Sequence, residues 1–191
     1  MGFDLIIGIV IPSLWLAWIV YWWYSARDVK PTRLPEPLTS HLRHRVPLIF
    51  TAILLAAPRL LPRVLTRRFL PTGHFFPVLG VVLLAAGLGF SVWARRHLGR
   101  NWSAQVVVKE GHSLVRTGPY RYVRHPIYTG ILLAFLGTVV TIGEWRGVLA
   151  LLCALVSFAV KSRLEEARMR ETFPEYREYE RETAALVPGV Y

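Results

Sequence analysis

The stretch FFPVLGVVLLAAGLGFSVWA, residues 75–94, runs for twenty positions without a charged side chain and ends abruptly on Arg95 and Arg96. A hydrocarbon core roughly 30 Å thick takes about 20 apolar residues of helix, so this stretch predicts a membrane-spanning helix. LIIGIVIPSLWLAWIVYWWY, residues 5–24, meets the same requirement. It follows Asp4 rather than a basic leader and lacks a small-residue cleavage site, which predicts a retained helix. Its Trp15, Trp18, Trp22 and Trp23 crowd toward one end, as aromatics do at a headgroup belt.

Outward from these two helices, 46–61 is a shorter apolar run with Pro47 in its first turn and Pro58 near its end. From 127 to 160 the chain is apolar except for Gly143-Glu144-Trp145-Arg146-Gly147, which predicts a tight polar turn between two helices. The expected fold class is all-α, a polytopic integral membrane protein with about five transmembrane helices at 5–24, 46–61, 75–94, 127–142 and 148–160. With no internal repeat, residues 1–191 read as a single membrane domain.

Composition agrees with that class. At 53% apolar and 18% charged, the chain is neither an ordinary soluble domain nor a disordered one. Cys153 is alone, which excludes a disulfide scaffold and a cysteine-based zinc site. A net charge of +11 would suggest nucleic acid if the cations formed a folded basic module, but no loop is long enough to supply one. They follow the loops instead. One side receives Arg27, Lys30, Arg33, Arg43, Arg45, Arg95, Arg96, Arg100, Lys109, Arg116, Arg121, Arg124, Lys161, Arg163, Arg168, Arg170, Arg177 and Arg181, eighteen of the 23. The other side holds Arg59, Arg63, Arg67, Arg68 and Arg146. The positive-inside rule then places the N-terminus outside and the C-terminus in the cytoplasm. Within the helices, Ala85 with Gly89, Gly87 with Ser91, and Gly130 with Ala134 offer faces for close approach.

Two stretches on the cytoplasmic side are too long to be mere connectors, 95–126 and 161–191. In the first, Gly118-Pro119 marks a turn and Pro126 suits the first turn of the fourth span, which puts His125 near the N-cap and Tyr128 one turn inside. A helix start offers backbone N–H groups and partial positive charge to an anionic ligand group, with His125 and Tyr128 as further donors. In the second, Arg163 with Glu166 and Glu166 with Arg170 have the spacing of ion pairs on a helix that continues past the membrane. On charge pattern alone, solvated ion pairing is the favoured reading of that segment.

The same residues carry a resemblance. Gly118-Pro119-Tyr120-Arg121-Tyr122-Val123-Arg124-His125-Pro126-x-Tyr128-x-Gly130 resembles the central motif of the isoprenylcysteine carboxyl methyltransferase family, part of a membrane methyltransferase group that includes phospholipid methyltransferases. Glu165-Glu166-x-x-Met169-x-x-x-Phe173-x-x-Tyr176-x-x-Tyr179, ending near Val187-Pro188-Gly189, resembles the C-terminal motif, and Asn101-Trp102-Ser103 the region before the first. The likeness covers roughly 95–191, and the first two spans carry no motif. Pro174 departs from it, standing where the family commonly has glycine and a longer acidic stretch.

The resemblance implies S-adenosylmethionine as methyl donor, leaving S-adenosylhomocysteine, in a cytoplasmic pocket between the two motifs. It assigns Tyr120, His125, Tyr128 and Glu166 to cofactor binding and makes Glu166 and Arg163 the candidate catalytic residues, with Arg163 a fork for a substrate carboxylate. The implied acceptor is amphipathic or lipid-like, reached from among the membrane lipids. A carboxylate acceptor is already ionised, whereas an amine must lose a proton, which would give Glu165 or Glu166 a base role. The readings carried forward are carboxyl methylation of an isoprenylcysteine-type substrate, phospholipid amine N-methylation, and a non-catalytic membrane interaction or small-solute protein on the same scaffold. No metal is expected, since His41, His44, His74, His97 and His112 read as interfacial or solvated loop residues without ligand spacing.

Overall fold

The computed structural model describes residues 2–27, 38–99 and 114–189. Six α-helices follow in order among them: α1 (Gly2–Ser25), α2 (Leu38–Ala56), α3 (Phe75–Leu98), α4 (Pro126–Ile142), α5 (Trp145–Thr172) and α6 (Tyr176–Glu182). Among the described residues there is no strand, only the isolated bridges Arg68–Glu144 and Val123–Ala184. Residues Leu5–Ser25, Phe75–Leu98 and Trp145–Thr172 are long and apolar enough to cross a membrane, and α4 is a shorter apolar helix of 17 residues. The protein is an all-α membrane protein, as its sequence predicts.

Proline and glycine set the boundaries. Ala57 precedes Pro58, and the ring of a proline disfavours helical backbone in the residue before it. Ala57 accordingly leaves the helix at φ −122° and ψ 58°, so α2 stops at Ala56 rather than at 61, and it begins upstream of the apolar run, at Leu38. The polar turn predicted at 143–147 is shorter than expected. Gly143 takes the left-handed conformation at φ 66°, its N–H bonds the carbonyl of Val139, and extended Glu144 caps α5 at once. Arg146 therefore lies in the first turn of α5, where its Nη1 donates to the carbonyls of Leu54 (3.0 Å) and Leu55 (2.7 Å) and its Nε to Glu144 Oε2 (2.6 Å). It satisfies the end of α2 from another helix.

The most extensive helix contact is α3 with α4, followed by α2 with α5. A Cβ placed on Gly87 would lie 2.5 Å from the backbone nitrogen of Ala134, and one on Gly130 would lie 2.6 Å from the carbonyl oxygen of Gly87. No other residue fits that seam, which lets the two backbones touch. By contrast a Cβ on Gly89 would meet nothing within 4 Å, and Ala85 and Gly89 are both exposed among the described residues. α2 lies antiparallel on α5: Ser157 Oγ donates to the carbonyl of His44 at one end, and Thr51 Oγ1 to that of Ala150 (3.1 Å) toward the other.

The tryptophans of α1 depart from the expected belt. Trp15 Nε1 donates to Thr138 Oγ1 of α4 (3.2 Å), and Trp18 Nε1 to Ser91 Oγ of α3 (2.8 Å). Trp22 stacks on Trp18 at 4.7 Å, while Trp23 is exposed beneath the guanidinium of Arg27. The i, i+3, i+7 spacing of Trp15, Trp18 and Trp22 turns one face inward, where the N–H groups of Trp15 and Trp18 find hydroxyls that lipid cannot supply.

The seam can be checked directly. Gly87→Leu should lower stability by about 1–3 kcal/mol, through forced separation of α3 and α4, while Gly89→Leu leaves it nearly unchanged. Thermal denaturation of the detergent-purified variants reads the difference.

Candidate active site

Pro126 starts α4 and pushes His125 out of the helical region, to φ −122° and ψ 59°. The His125 ring therefore leaves the helix line and meets α5, which runs on without a break past its apolar part. Two successive glutamates receive it. His125 Nε2 lies 3.1 Å from Glu166 Oε1 and its Nδ1 lies 3.4 Å from Glu165 Oε2. An ionised carboxylate only accepts, so both ring nitrogens serve as donors and the imidazole is held as a cation. Burial disfavours that charge, but the hydrogen bonds to Glu165 and Glu166 outweigh it and raise the His125 pKa above its usual 6.5.

Every glutamate oxygen in this cluster faces a donor or cation. Glu166 Oε1 also accepts from Arg124 Nε at 2.8 Å, and its Oε2 lies 3.7 Å from Arg170 Nη2. Burial pushes the Glu166 pKa up, yet the bonds from His125 and Arg124 overcome this and hold it at about 2. Glu165 Oε1 accepts from the Tyr128 hydroxyl at 2.6 Å and lies 4.0 Å from Lys161 Nζ. Burial again opposes ionisation there, and His125, Lys161 and Tyr128 together lower the Glu165 pKa.

An aromatic column stands beside the charges. The rings of His125 and Tyr128 stack at 5.5 Å and 7°, and Tyr128 stacks on Phe158 at 4.8 Å and 16°. It leads from the ionic cluster toward the apolar core of Ile127, Ile131, Ala154 and Phe158, against which Trp15, Trp18 and Trp22 also pack. Helix α1, which carries no motif, is thus a wall of the same core.

The tail closes the cluster from the far side. Arg124 Nη1 donates to the carbonyls of Glu180 (3.1 Å) and Thr183, and Arg170 grips Glu180 at two points, Nη2 to Oε1 at 2.7 Å and Nε to Oε2 at 2.9 Å. Tyr179 donates its hydroxyl to the carbonyl of Tyr120 at 2.6 Å. The backbone N–H groups of Arg124 and His125 bond the carbonyls of Ala184 (2.9 Å) and Ala185 (3.0 Å). Donors at the start of α4 that the sequence leaves to an anionic ligand are in part taken by the chain's own tail.

Of the residues singled out in the sequence, His125, Tyr128 and Glu166 come together. Tyr120 is buried in the turn Gly118–Arg121, within the apolar core and 6.3 Å ring to ring from His97. Arg163 is exposed on α5, off the buried face that carries Ser162 and Glu166. Glu166 and Arg170 form the pair that their spacing predicts, with the glutamate buried and Arg170 still 43% exposed at the edge of the cluster. Arg124, Glu165 and Lys161 join the cluster: the sequence offers Glu165 as the alternative base to Glu166 and Arg124 as a motif position, whereas Lys161 stands out there only as one of the basic residues. His44 is buried within α2, and His97 belongs to the last turn of α3, with its Nε2 2.9 Å from Thr117 Oγ1. Neither is a loop residue as expected. Asn101, Trp102, Ser103 and His112, with Lys30, Arg33, Arg100 and Lys109, lie outside the described residues.

Residues 75–176, which hold α3, α4, α5 and both sides of this cluster, match the phospholipid methyltransferase family. The chain belongs to that family. Its similar relatives include the nickel-cobalt-cadmium resistance protein NccN of Alcaligenes xylosoxydans xylosoxydans, 32% identical over 154 residues, covering 70% of this chain and 71% of NccN. The cobalt-zinc-cadmium resistance protein CzcN of Cupriavidus metallidurans is 38% identical over 94 residues, 48% of this chain and 43% of CzcN. Among solved structures, the eukaryotic intramembrane Ras methyltransferase ICMT (isoprenylcysteine carboxyl methyltransferase) shares the fold at a TM-score of 0.57 and 19% identity, over 80% of this chain and half of that one. Although two relatives are named for metal resistance, no group of three or more His, Cys, Asp or Glu side chains among the described residues could hold a metal ion.

The charge arrangement fixes a pH dependence. A raised His125 pKa contributes stability that is complete below about pH 6.5 and is lost as pH rises through its folded value. The lowered glutamates contribute stability present above about pH 4.5 and lost as pH falls toward 2. The melting temperature in detergent should therefore be highest between those limits, and His125→Gln should remove the decline on the alkaline side.

Proposed function

We propose that the chain is an integral membrane, S-adenosylmethionine-dependent methyltransferase that methylates an anionic oxygen of an amphipathic acceptor, most like carboxyl methylation of an isoprenylcysteine-type substrate. The observation that carries this reading is the engaged state of both glutamates. Each oxygen of Glu165 and Glu166 already faces a cation or hydroxyl donor. Their lowered pKa values make both poor proton acceptors. An ionised acceptor needs no base. A phospholipid amine, the second reading that the family match favours, would require one glutamate to leave its partners and take a proton.

The residues fit the nucleotide chemically. Carboxylates suit ribose hydroxyls or an ammonium group, and the flat column of His125 and Tyr128 suits a purine face. Bound S-adenosylmethionine supplies an electrophilic methyl on a sulfonium. The protein orients and excludes water: Arg124 and His125 fix Glu166, Tyr128 and Lys161 fix Glu165, and the tail seals the cluster. Arg163, exposed on α5, is proposed to meet the acceptor's carboxylate at the membrane surface rather than the nucleotide. The bias of basic residues supports an N-terminus outside and a site in the cytoplasm.

Calorimetry with S-adenosylhomocysteine on detergent-purified protein should show saturable binding that His125→Ala and Glu166→Gln weaken at least tenfold. Arg163→Ala should preserve that affinity and reduce turnover. Radiolabelled donor should enter a farnesyl-cysteine analogue and not phosphatidylethanolamine. The opposite labelling would establish the amine reading, and a folded protein without nucleotide binding would leave the non-catalytic one.

A further inference from the structure

The centre of the cluster described above is nearly closed to water, with side chains of Arg124, His125 and Glu166 only 9%, 9% and 8% exposed, while Glu165 (21%) and Arg170 (43%) lie toward its edge. If this site takes a soluble, charged nucleotide, as proposed, some cover must move. The described elements around it differ sharply in how they are held. α4 and α5 are packed helices. α6 is anchored by buried Tyr176 and Tyr179, by the hydroxyl of Tyr179 on Tyr120, and by the two-point grip of Arg170 on Glu180.

Beyond α6 the anchoring changes character. Thr183 is buried and its hydroxyl donates to the carbonyl of Tyr179 (2.6 Å), which ties it to the post. Ala184 is buried as well, but Ala185 and Leu186 are only half-buried and residues 187–189 are exposed. This strap contacts the start of α4 through carbonyls. Ala184 and Ala185 accept from the N–H groups of Arg124 and His125, and Leu186 accepts from Thr129 Oγ1 at 2.6 Å. Segments held by few apolar contacts and a handful of hydrogen bonds open at the lowest free energy.

We propose that residues 184–189 are a door over the nucleotide site, hinged at Thr183 on the fixed post of α6 and latched by the hydroxyl of Thr129. Opening releases the N–H groups of Arg124 and His125 at the start of α4, and closing returns them to the strap.

Those two amides report the door without any ligand. Hydrogen exchange on the free protein should be about fivefold faster at Arg124 and His125 in Thr129→Val, the loss of one hydrogen bond of ordinary strength, and unchanged in Thr129→Ser. Amides in the middle of α4 should stay protected in all three proteins. Unchanged exchange at Arg124 and His125 in Thr129→Val, or equal acceleration along the whole of α4, overturns the latch. A second variant tests passage. With Thr129→Cys and Leu186→Cys joined by a disulfide in a Cys153→Ser background, the association rate of S-adenosylhomocysteine should fall at least tenfold and recover on reduction. Association at the wild-type rate in the cross-linked protein overturns the door. If wild-type protein binds no S-adenosylhomocysteine, the methyl-donor reading fails, and the exchange measurement still decides the strap.

Discussion

The structure depends on a cationic imidazole held between two consecutive carboxylates. His125 can face Glu165 and Glu166 at once only if the start of α4 and the extension of α5 are side by side and in one rotational register. Charges removed from water are costly, and their mutual attraction offsets that cost only when each is fully partnered. Here Arg124, Arg170, Lys161 and the Tyr128 hydroxyl complete the partnership. The cluster thus acts less as a source of stability than as a condition on geometry. A rotation of α5 by one residue would leave a buried carboxylate without its cation.

The apolar half of the molecule meets that condition by rigid, close packing. Gly87 and Gly130 bring the backbones of α3 and α4 into contact, so the position of α4, and with it His125 at its start, is set against α3 by main chain rather than by adaptable side chains. At the opposite end, Arg146 ties the start of α5 to the end of α2. Polar groups inside this bundle find partners on other helices: Trp15 on Thr138, Trp18 on Ser91, Thr51 on Ala150. In a lipid surrounding, such bonds specify which helices are neighbours more than they drive association. A helix without any motif, α1, is fixed in this way against the core below the candidate site.

What could be read from the sequence was local. Hydrophobic length marks α1, α3 and α5, and Pro126 marks both the start of α4 and the departure of His125 from it, because those signals act within one turn of chain. Boundaries set by competing short-range signals were harder. The apolar run at 46–61 conceals the effect of Pro58 on Ala57, and the polar run at 143–147 conceals how quickly Gly143 and Glu144 restart a helix. Contacts between segments far apart in sequence were not legible at all. Arg163 and Arg170 stand three and four residues from Glu166 and both are exposed, yet Arg170 reaches Glu166 and Glu180 together, which the spacing does not reveal. The turn of Arg124 toward Glu180 and Thr183 depends likewise on where the tail comes to rest.

The closed, ionic character of the site bears on the acceptor through charge balance. Methyl transfer from a sulfonium to a carboxylate destroys two opposite charges, whereas transfer to a neutral amine moves one positive charge from sulfur to nitrogen. Removing water favours the first process most, because separated opposite charges lose hydration that their neutral products do not need. The tail, the aromatic column and the core beneath them make a site of low water content around a fixed set of charges. Those charges include four cations, His125, Arg124, Lys161 and Arg170, against three carboxylates, Glu165, Glu166 and Glu180. In the proposed reading, that surplus of positive charge favours an acceptor that brings a carboxylate to the donor. The same arrangement that engages both glutamates therefore also selects, in the proposed reading, for an acceptor that arrives already ionised.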